Sequence, residues 1–253
     1  MSEAVRACLI IIGNEILSGR THDKNLPYLA EELNKLGIRL AETRVIPDIE
    51  TTIIETVNEC RAKFDYVFTT GGIGPTHDDI TSPCVARAFG VEIELNPQAH
   101  ELLKSHYENP ADLNEARLRM AHIPVGAELI DNPVSKAPGF RMENVYVMAG
   151  VPMIMQAMFQ GIKHQLTGGR PMVSRSVGGD IPEGTIAKVL GEIQHDFPDT
   201  DIGSYPFLRE GKLGTTLVVR GEEAKDVDLA SERIRAVIIE LGREIIEDSG
   251  AVS

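Results

Sequence analysis

Short apolar runs alternate with amphipathic helical patterns through residues 4–166 of this sequence. Residues 4–12 form a nearly continuous apolar run, which is typical of a strand covered on both faces. Residues 25–36 carry apolar side chains at helical spacing, with Pro27 near the start and Gly37 just past the end. This first pair predicts a buried strand followed by a helix.

The same alternation continues along the chain. We predict further strands at residues 38–46, 66–69 and 145–148, and further helices around residues 53–60, 83–89 and 153–166. Ser82 and Pro83 match the pattern of an N-cap and a first-position proline, and Gly90 closes the helix that they start. Repeated alternation implies parallel strands joined by right-handed helical crossovers. We therefore expect an α/β fold, a three-layer and mostly parallel sheet.

The rhythm of the sequence changes after residues 167–171, whose glycines and proline have the composition of a linker. Beyond it we predict strands at residues 173–177, 202–207 and 215–220, and helices at residues 185–197 and 227–246. These elements make a small α+β unit, and we expect the tail from residue 247 to fray. The predicted domains are residues 1–168 and residues 169–253.

The charge balance restricts the partners of the chain. Its 253 residues carry 25 Lys and Arg against 38 Asp and Glu, which gives a formal net charge of −13. This excess of acid argues against broad contact with nucleic acid phosphates or an anionic membrane surface. We therefore expect a small-molecule ligand, and neither nucleic acid nor membrane among the partners.

The cysteines and the amino-terminal residues predict a cytoplasmic protein. Cys8, Cys60 and Cys84 are odd in number and lack the spacing of a metal site, which fits a reducing compartment. The apolar run at residues 7–12 is too short for a signal peptide or a spanning helix, because residues 13–15 interrupt it.

A glycine-rich stretch, TTGGIGPTHDDIT, follows one of the predicted strands at residues 69–81. Gly71, Gly72 and Gly74 permit positive φ and a close approach of the backbone, and the helix that follows offers free amides and the positive end of its dipole. Ligands of parallel sheets bind at the carboxyl ends of the strands. The stretch predicts a phosphate site; its alternative interpretation is a tight turn with no ligand.

Two adjacent carboxylates, Asp78 and Asp79, close this stretch beside His77. One aspartate near a helix start is commonly a cap, but Ser82 already supplies one in this interpretation. Two aspartates in succession are the oxygen ligands that a hard divalent cation takes, and such a cation would bridge the phosphates. The pair therefore favours a metal site over capping alone.

The other predicted strand ends add polar residues. Gly13, Asn14 and Glu15 follow the first strand, Asp48 follows the second, and the stretch NPVSKAPG at residues 132–139, with Lys136, precedes the fourth. Each has a structural alternative, since Asp48 can cap the next helix and the other charges can be solvated loop residues. Because all these ends fall on one predicted edge of the sheet, we expect a site there.

Three stretches together resemble a known fold. TTGGIGPTHDDIT resembles the signature of the molybdopterin-binding (MoaB/Mog) fold, and with IIGNEILSGRTHDKN and NPVSKAPGF it is most similar to the CinA family and to the amino-terminal domain of eukaryotic FAD synthase. The resemblance implies a mostly parallel sheet with its site at the carboxyl edge. It also implies that Asp48 and Asp79 are functional acids, that the three glycines form a phosphate loop and that residues 137–139 form a second ligand loop.

From the loops and the resemblance together we predict a set of site residues. The acids Asp48, Asp78 and Asp79 are the predicted catalytic and metal-binding residues, for cobalt, manganese or magnesium. The predicted ligand-binding residues are Gly13, Asn14, Glu15, Thr70, Gly71, Gly72, Gly74, Pro75, His77, Asn132, Lys136, Ala137, Pro138, Gly139, Gly150 and Pro152.

The resemblance implies two activities. In the CinA and FAD synthase branch the domain resembles a metal-dependent pyrophosphatase that splits ADP-ribose or FAD, and this is the function that we expect. In molybdenum-cofactor proteins the same fold binds a pterin phosphate, or transfers a nucleotide to it, and this is the alternative. A non-catalytic scaffold is a third reading.

The sequence departs from the family pattern at two positions. Ala149 stands where the family usually has proline, and Ile154 stands where many members have an acidic residue. Because the sequence ends at Ser253, we expect neither the amidase domain of full-length CinA proteins nor the adenylylating domain of FAD synthases. Proteins of this fold are often dimeric or trimeric, so we expect a homo-oligomer, with the small carboxyl-terminal unit as its interface.

Overall fold

The apolar run near the amino terminus forms strand β1, Arg6–Ile12, in the computed structural model of the chain. The structure describes residues 4–107, 109, 112–209 and 212–250. Within them the chain divides into two units, the first ending at Gly169 and the second beginning at Arg170. The boundary predicted from the sequence lies one residue before this division.

The first unit alternates strands and helices. Its further strands are β2 Arg39–Ile46, β3 Tyr66–Thr70, β4 Ile93–Leu95, β5 His122–Pro124, β6 Glu128–Ile130, β7 Gly139–Met142 and β8 Val145–Met148. Its helices are α1 Asn14–Leu17, α2 Asn25–Lys35, α3 Glu50–Lys63, α4 Thr81–Phe89, α5 Pro97–His106, α6 Glu115–Leu118 and α7 Pro152–Ile162, with short 3-10 turns at Arg119–Ala121 and Lys163–Gln165.

The main sheet has the strand order β2-β1-β3-β8-β7-β6. Neighbours from β2 to β8 pair in parallel, whereas β7 pairs antiparallel with both β8 and β6. The remaining pair, β4 and β5, is antiparallel and separate from this sheet. The predicted α/β fold with a mostly parallel sheet is therefore confirmed.

The hairpin of β7 and β8 corrects one expectation. Residues 132–139 lead into the antiparallel strand β7 and not directly into the parallel strand β8. Phe140 pairs with Val147 and Met142 pairs with Val145, so the start of β7 lies beside the end of β8. The loop therefore still opens at the carboxyl edge of the parallel strands.

Strand β1 supplies alternate side chains to two separate cores. Cys8, Ile10 and Ile12 pack in one buried cluster with residues of α3 and α4. Ala7, Leu9 and Ile11 pack in a second cluster with residues of α2 and α7. Because side chains of a strand alternate between its faces, helices cover both sides of the sheet and every residue of the run after Arg6 is buried.

Helix α4 begins two residues earlier than the sequence predicted. Ile80 is its N-cap, and no side chain caps it, so the prediction that Ser82 is the N-cap was wrong. The Thr81 amide instead donates to the carbonyl oxygen of Gly72 at 2.9 Å, and its hydroxyl donates to the carbonyl oxygen of Gly71 at 3.0 Å. The backbone of the glycine stretch thus provides the partners of the helix start. Gly90 ends the helix with φ 66°, as predicted.

The second unit is an antiparallel sheet with helices. Its elements are β9 Val173–Gly179, α8 Glu183–Asp196, β10 Thr200–Arg209, β11 Lys212–Gly221, α9 Ala224–Glu240 and β12 Ile245–Gly250. The strand order is β10-β11-β9-β12, and Val177, Leu217 and Ile234 belong to one buried cluster beneath it. This agrees with the predicted α+β unit.

The carboxyl end of this unit differs from the expectation. Helix α9 ends at Glu240, not at residue 246, because Gly242 turns the chain with φ 69°. Ile245 then begins strand β12, which pairs with β9, so residues 247–250 are paired rather than frayed. Residues 251–253 of the predicted tail lie outside the described residues. Among the helices described in either unit, none is both long and apolar enough to span a membrane.

Candidate functional site

The ends of the four parallel strands are tied together by direct contacts. The amide of Asn14, after β1, donates to the Asp48 carboxylate, after β2, at 2.9 Å, and the Gly13 amide donates to the carbonyl oxygen of Ile46 at 3.1 Å. These two bonds fix the loops after β1 and β2 against each other. Asp48 therefore positions a loop, and it does not cap helix α3, whose N-cap makes no side-chain hydrogen bond.

Gly71 joins the loop after β3 to both neighbouring strands. Its amide donates to the carbonyl oxygen of Met148, at the end of β8, at 3.2 Å. A Cβ atom at this position would lie 2.2 Å from the carbonyl oxygen of Ile12, and φ is +101°. Only glycine fits such a position without strain. Since its amide is already bonded, Gly71 shapes the turn, and a phosphate would need other donors.

Three consecutive amides in the turn, those of Gly72, Ile73 and Gly74, have no acceptor in the part of the chain that the structure describes. Gly72 has φ +69°, and successive free amides in such a turn form a concave anion-binding surface. Helix α4 adds fewer free amides to this surface than the sequence predicted. Its Thr81 and Cys84 amides are bonded to the carbonyl oxygens of Gly72 and Ile80, and Pro83 has no amide hydrogen.

The two adjacent carboxylates meet at Thr76. The Thr76 hydroxyl lies 2.6 Å from Asp78 Oδ1 and 2.5 Å from Asp79 Oδ2, and the Thr76 amide donates to Asp79 Oδ2 at 2.8 Å. One hydroxyl proton can serve only one carboxylate at a time. The bond from Thr76 holds the pKa of the exposed Asp78 carboxyl below its usual value. The ionised Asp78 carboxylate therefore lies beside Asp79, next to the glycine turn.

The three predicted metal ligands are not gathered into one cluster. Among the described residues, no three His, Cys, Asp or Glu side chains lie close enough together to hold a metal ion. Asp48 bonds to Asn14, whereas Asp78 and Asp79 meet at Thr76. A magnesium-type cation is usually bound by one or two carboxylates together with phosphate oxygens and water. The Asp78 and Asp79 pair fits that mode, and a three-acid protein cage does not fit.

The loop at residues 131–138 is built around Asn132. Its buried side-chain amide donates to Ser135 Oγ and the carbonyl oxygen of Ala137, and its oxygen accepts from the amides of Val134 and Ser135. These four bonds use the full capacity of the amide. Asn132 thus shapes the loop, and its predicted contact with a ligand has no support from the geometry.

Lys136 and its neighbours complete this second loop. Lys136 has φ 58°, a left-handed backbone that is uncommon outside glycine, and in the described chain its ammonium group has no ion-pair partner. Ala137 packs against the same core cluster as Ile73 of the glycine turn. Pro138 and Gly139 are buried, and a Cβ atom at Gly139 would lie 2.2 Å from the carbonyl oxygen of Val147. The loop therefore packs tightly at the edge that carries the glycine turn.

A small cleft of about 50 Å³ opens at this same edge. Its lining includes the predicted residues Glu15, Thr70, Gly150 and Pro152, and also Asn25, which the sequence analysis did not select. Asn25 is buried at the start of α2, and its side-chain nitrogen donates to the carbonyl oxygen of Gly150 at 2.8 Å. Asn25 lies in the stretch IIGNEILSGRTHDKN, one of the stretches that carry the family resemblance, and this position is the sequence signal that could have identified it.

The remaining predicted residues lie at the margin. Pro75 and His77 are exposed, and the His77 ring nitrogen lies 3.9 Å from the Asp78 carboxylate.

The two departures from the family pattern, Ala149 and Ile154, both pack against the core cluster beneath α7. Ile154 therefore contributes to packing.

A larger cleft, of about 330 Å³, lies at the opposite edge of the sheet, where its lining includes Asp65, Tyr66 and Arg141. None of the predicted site residues lines it. Ligands of parallel sheets bind at the carboxyl ends of the strands. We therefore place the candidate site at the glycine turn and the small cleft, although the other cleft is larger.

Two family models match the chain. The model described as "Probable molybdopterin binding domain" matches residues 8–168, and the model described as "FAD synthase, middle domain" matches residues 171–242. The two matched segments correspond to the two units of the structure.

Similar proteins cover different shares of the chain. A protein of Aeropyrum pernix is 35% identical over 268 residues, covering 98% of this chain and 99% of its own length. A probable FAD synthase of Caenorhabditis elegans is 28% identical over 279 residues, and the alignment covers 99% of this chain but 53% of that protein. The chain thus spans about half of that synthase.

Among solved structures, the protein CinA with unknown function from Thermoplasma acidophilum is 32% identical, with a TM-score of 0.60. It covers 64% of this chain and 98% of its own. The matches confirm the resemblance to the MoaB/Mog fold, to CinA and to FAD synthase. Because the first family model matches well over half of the chain, this protein belongs to the family of probable molybdopterin-binding domains.

Proposed function

We propose that this protein is a divalent-metal-dependent pyrophosphatase that hydrolyses the diphosphate bond of a nucleotide such as ADP-ribose or FAD. The observation that carries the proposal is the pairing of Asp78 and Asp79 at Thr76, directly after the three unpaired amides of residues 72–74. Hydrogen-bond donors for phosphate and acids for a cation are the two requirements of such a site.

The chain's own residues would bind and orient the diphosphate. The free amides of Gly72, Ile73 and Gly74 would donate to phosphate oxygens, and they need no reorganisation because the turn already holds them in place. Lys136, at the same edge, would add a positive charge. These donors stabilise negative charge on the phosphoryl oxygens, which grows as the bond breaks.

In the reaction, the oxygen of a water molecule attacks one phosphorus atom and the bond from that phosphorus to the bridging oxygen breaks. ADP-ribose would give AMP and ribose 5-phosphate, and FAD would give AMP and FMN. A divalent cation, when bound, supplies charge neutralisation and lowers the pKa of water. Asp78 and Asp79 are the residues that would hold it, and Asp48 would keep the loop after β1 in place.

The test is an assay of AMP release. Pure protein is incubated with ADP-ribose and with FAD, each with cobalt, manganese or magnesium, and the products are separated by chromatography. We expect AMP with at least one metal, and none when EDTA is present. Failure to release AMP from either substrate with all three metals would remove the basis of the proposal.

The second candidate is a role in molybdenum cofactor biosynthesis, in which the same edge binds a pterin phosphate or transfers a nucleotide to it. The description of the matched family as a probable molybdopterin-binding domain supports it. A fluorescent pterin that co-purifies with the protein, together with tight molybdopterin binding and no release of AMP, would favour this candidate over the hydrolase.

We also propose a cytoplasmic homo-oligomer whose interface lies in the second unit. Leu208 and Leu213 face each other across strands β10 and β11, and each is 67% exposed. Contiguous exposed apolar surface marks many protein–protein contacts, and this pair could form part of such a surface. We expect the double substitution of Leu208 and Leu213 by serine to lower the particle mass measured by light scattering. An unchanged mass would count against this interface.

A further inference from the structure

Two buried side-chain oxygens at the candidate site, Asn25 Oδ1 and Thr70 Oγ1, lack a hydrogen-bond partner among the residues that the structure describes. Asn25 is 4% exposed and Thr70 is 1% exposed. Most buried polar atoms in proteins are hydrogen-bonded, and leaving one unpaired costs free energy. Two unpaired oxygens at one edge therefore need an explanation.

The orientation of the Asn25 amide follows from its other contact. Its nitrogen donates to the carbonyl oxygen of Gly150 at 2.8 Å, and a flipped amide would place two acceptors against each other. The oxygen is therefore the free group. Asn25 and Thr70 both line the small cleft, together with Gly150 and Pro152. The residues at the wall of the cleft thus carry two buried free oxygens, an acceptor on Asn25 and a hydroxyl, which can accept or donate, on Thr70.

We propose that this cleft binds hydrogen-bond donors of the ligand, O–H or N–H groups, of which one donates to Asn25 Oδ1 and another to Thr70 Oγ1. Ionised phosphate oxygens are acceptors only, so they cannot bond to Asn25 Oδ1. They suit the free amides of residues 72–74 instead. The inference rests on the proposed function in that one ligand occupies the whole edge, with its phosphates at the glycine turn and its donor group in the cleft.

Two kinds of ligand carry such a donor. The hydroxyl groups of ribose supply it in a nucleotide, and the amino group supplies it in a pterin. Both kinds of ligand present the same chemistry to the cleft, and probes that differ in these groups distinguish them.

The chain contains a matched pair of threonines for the test. Thr69 and Thr70 are neighbours in β3, both are buried and both hydroxyls are unpaired, but only Thr70 lines the cleft. Valine keeps the shape of threonine and removes the hydroxyl. Because neither hydroxyl has a partner in the described part of the chain, we expect both Thr69→Val and Thr70→Val to melt at or above the wild-type temperature.

Binding is measured by calorimetry in the presence of magnesium. The nucleotide probes are α,β-methylene-ADP, whose bridging carbon resists hydrolysis, and its 2′-deoxy and 3′-deoxy analogues. The pterin probe is 6-hydroxymethylpterin. We expect Thr70→Val to raise the Kd of one probe about tenfold, the usual effect of one lost hydrogen bond, and Thr69→Val to change it less than twofold. If the donor is a ribose hydroxyl, the corresponding deoxy analogue binds equally to wild type and Thr70→Val. If it is the pterin amine, only the pterin distinguishes them.

Three outcomes would overturn the inference: no probe binds the wild-type protein, Thr70→Val leaves every Kd unchanged because water alone fills the cleft, or Thr69→Val weakens binding equally. Its failure differs from that of the proposed function. AMP release from a ligand whose Kd does not depend on Thr70 sinks the inference and leaves the hydrolase, whereas binding that depends on Thr70 without AMP release does the reverse.

Discussion

Asp79 and Thr76 are joined by two hydrogen bonds, since Asp79 Oδ2 accepts from the Thr76 amide at 2.8 Å and from its hydroxyl at 2.5 Å. The same oxygen would lie 2.7 Å from a Cβ atom at Gly74. The carboxylate is thus held against the glycine turn by the loop that carries it. Asp79 closes this loop and also presents its charge next to the free amides, so the two roles must be separated by experiment.

The substitution Asp79→Asn separates them. Asparagine keeps an oxygen that can accept from the Thr76 amide, so we expect the fold to survive and the melting temperature to change little. It removes the negative charge that a divalent cation requires, so the rate of AMP release should fall about a hundredfold or more. Steady-state rates and thermal unfolding of the same preparation measure both effects.

Asp78→Asn is the matched control. Asp78 shares the Thr76 hydroxyl but receives no bond from the Thr76 amide, and the family resemblance assigns the principal acid to Asp79. We expect a smaller loss of activity in this variant. Full activity in Asp79→Asn with unchanged stability would mean that the paired carboxylates are structural, and the site would have to be reassigned.

The pKa of the Asp78 carboxyl should depend on Thr76. The bond from Thr76 is the main cause of the lowered pKa of Asp78, followed by its own amide. A lowered pKa means that the ionised form is favoured in the folded protein, so this contribution is present above the ordinary pKa near 3.8 and is lost as pH falls below it. We expect Thr76→Val to raise the pKa of Asp78, measured by carbon NMR of the carboxyl group.

Wild-type protein titrated in the same buffer is the reference for this comparison. An Asp78 titration that does not move would show that the hydroxyl contributes nothing to the charge state of Asp78.

The alternation of strands and helices predicted the layered sheet because each long element buries a full face. β1 contributes to both cores, so its continuous apolar run was an unambiguous signal. Strands β6 and β7 were missed because three or four residues are too few to show a period of two. Helix α9 was predicted too long, because Ile245 continues its apolar period although Gly242 ends the helix.

The sequence predicted those residues of the candidate site that directly follow a strand. It did not predict the features that depend on contacts between distant parts of the chain. The glycine turn and Asp48 lie at the predicted edge. Asn25 reaches Gly150 across 125 residues of sequence, and the Gly71 amide is bonded by Met148. Whether a polar group is free or already bonded is decided by these long-range contacts, and no local pattern reveals it.

The cysteines should be unreactive in the folded protein. All three are free and buried, with the Cys8 and Cys60 sulfur atoms 3.5 Å apart. Their contact, followed by burial, raises the pKa of Cys8, and the same contact lowers the pKa of Cys60. Burial raises the pKa of Cys84 to about 11. Because the reagent must reach the sulfur atom and all three cysteines are buried, we expect Ellman's reagent at pH 8 to label three thiols in denaturant and none before unfolding. Rapid labelling of the native protein would contradict this.

The raised pKa of Cys84 also determines whether the free energy of unfolding rises or falls at alkaline pH. The folded state holds the thiol proton more tightly, so this contribution to stability is complete below pH 9 and declines as pH rises toward 11. Cys84→Ala lacks the decline. We expect the difference in unfolding free energy between wild type and variant to shrink from pH 8 to pH 11 in denaturant titrations. A constant difference would exclude the effect.

Gly71 and Gly90 are a matched pair of glycines with which the close packing at the ends of the parallel strands can be tested. Both have positive φ, but a Cβ atom at Gly90 meets nothing within 4 Å, whereas one at Gly71 would lie 2.2 Å from the carbonyl oxygen of Ile12. Gly90→Ala should therefore cost about 1 kcal/mol of unfolding free energy, the strain of a left-handed residue. Gly71→Ala adds a backbone collision, and we expect a loss of about 3 kcal/mol or more.

Denaturant unfolding of both variants measures this difference, and AMP release tests its consequence for the site. Gly71 contacts the exits of β1 and β8, so relief of the collision must move the glycine turn away from one of them. We expect Gly71→Ala to lose most activity even at temperatures where it is folded, and Gly90→Ala to retain it. Similar stability and activity in the two variants would mean that the strand exits tolerate displacement, and that the close packing at Gly71 does not position the free amides.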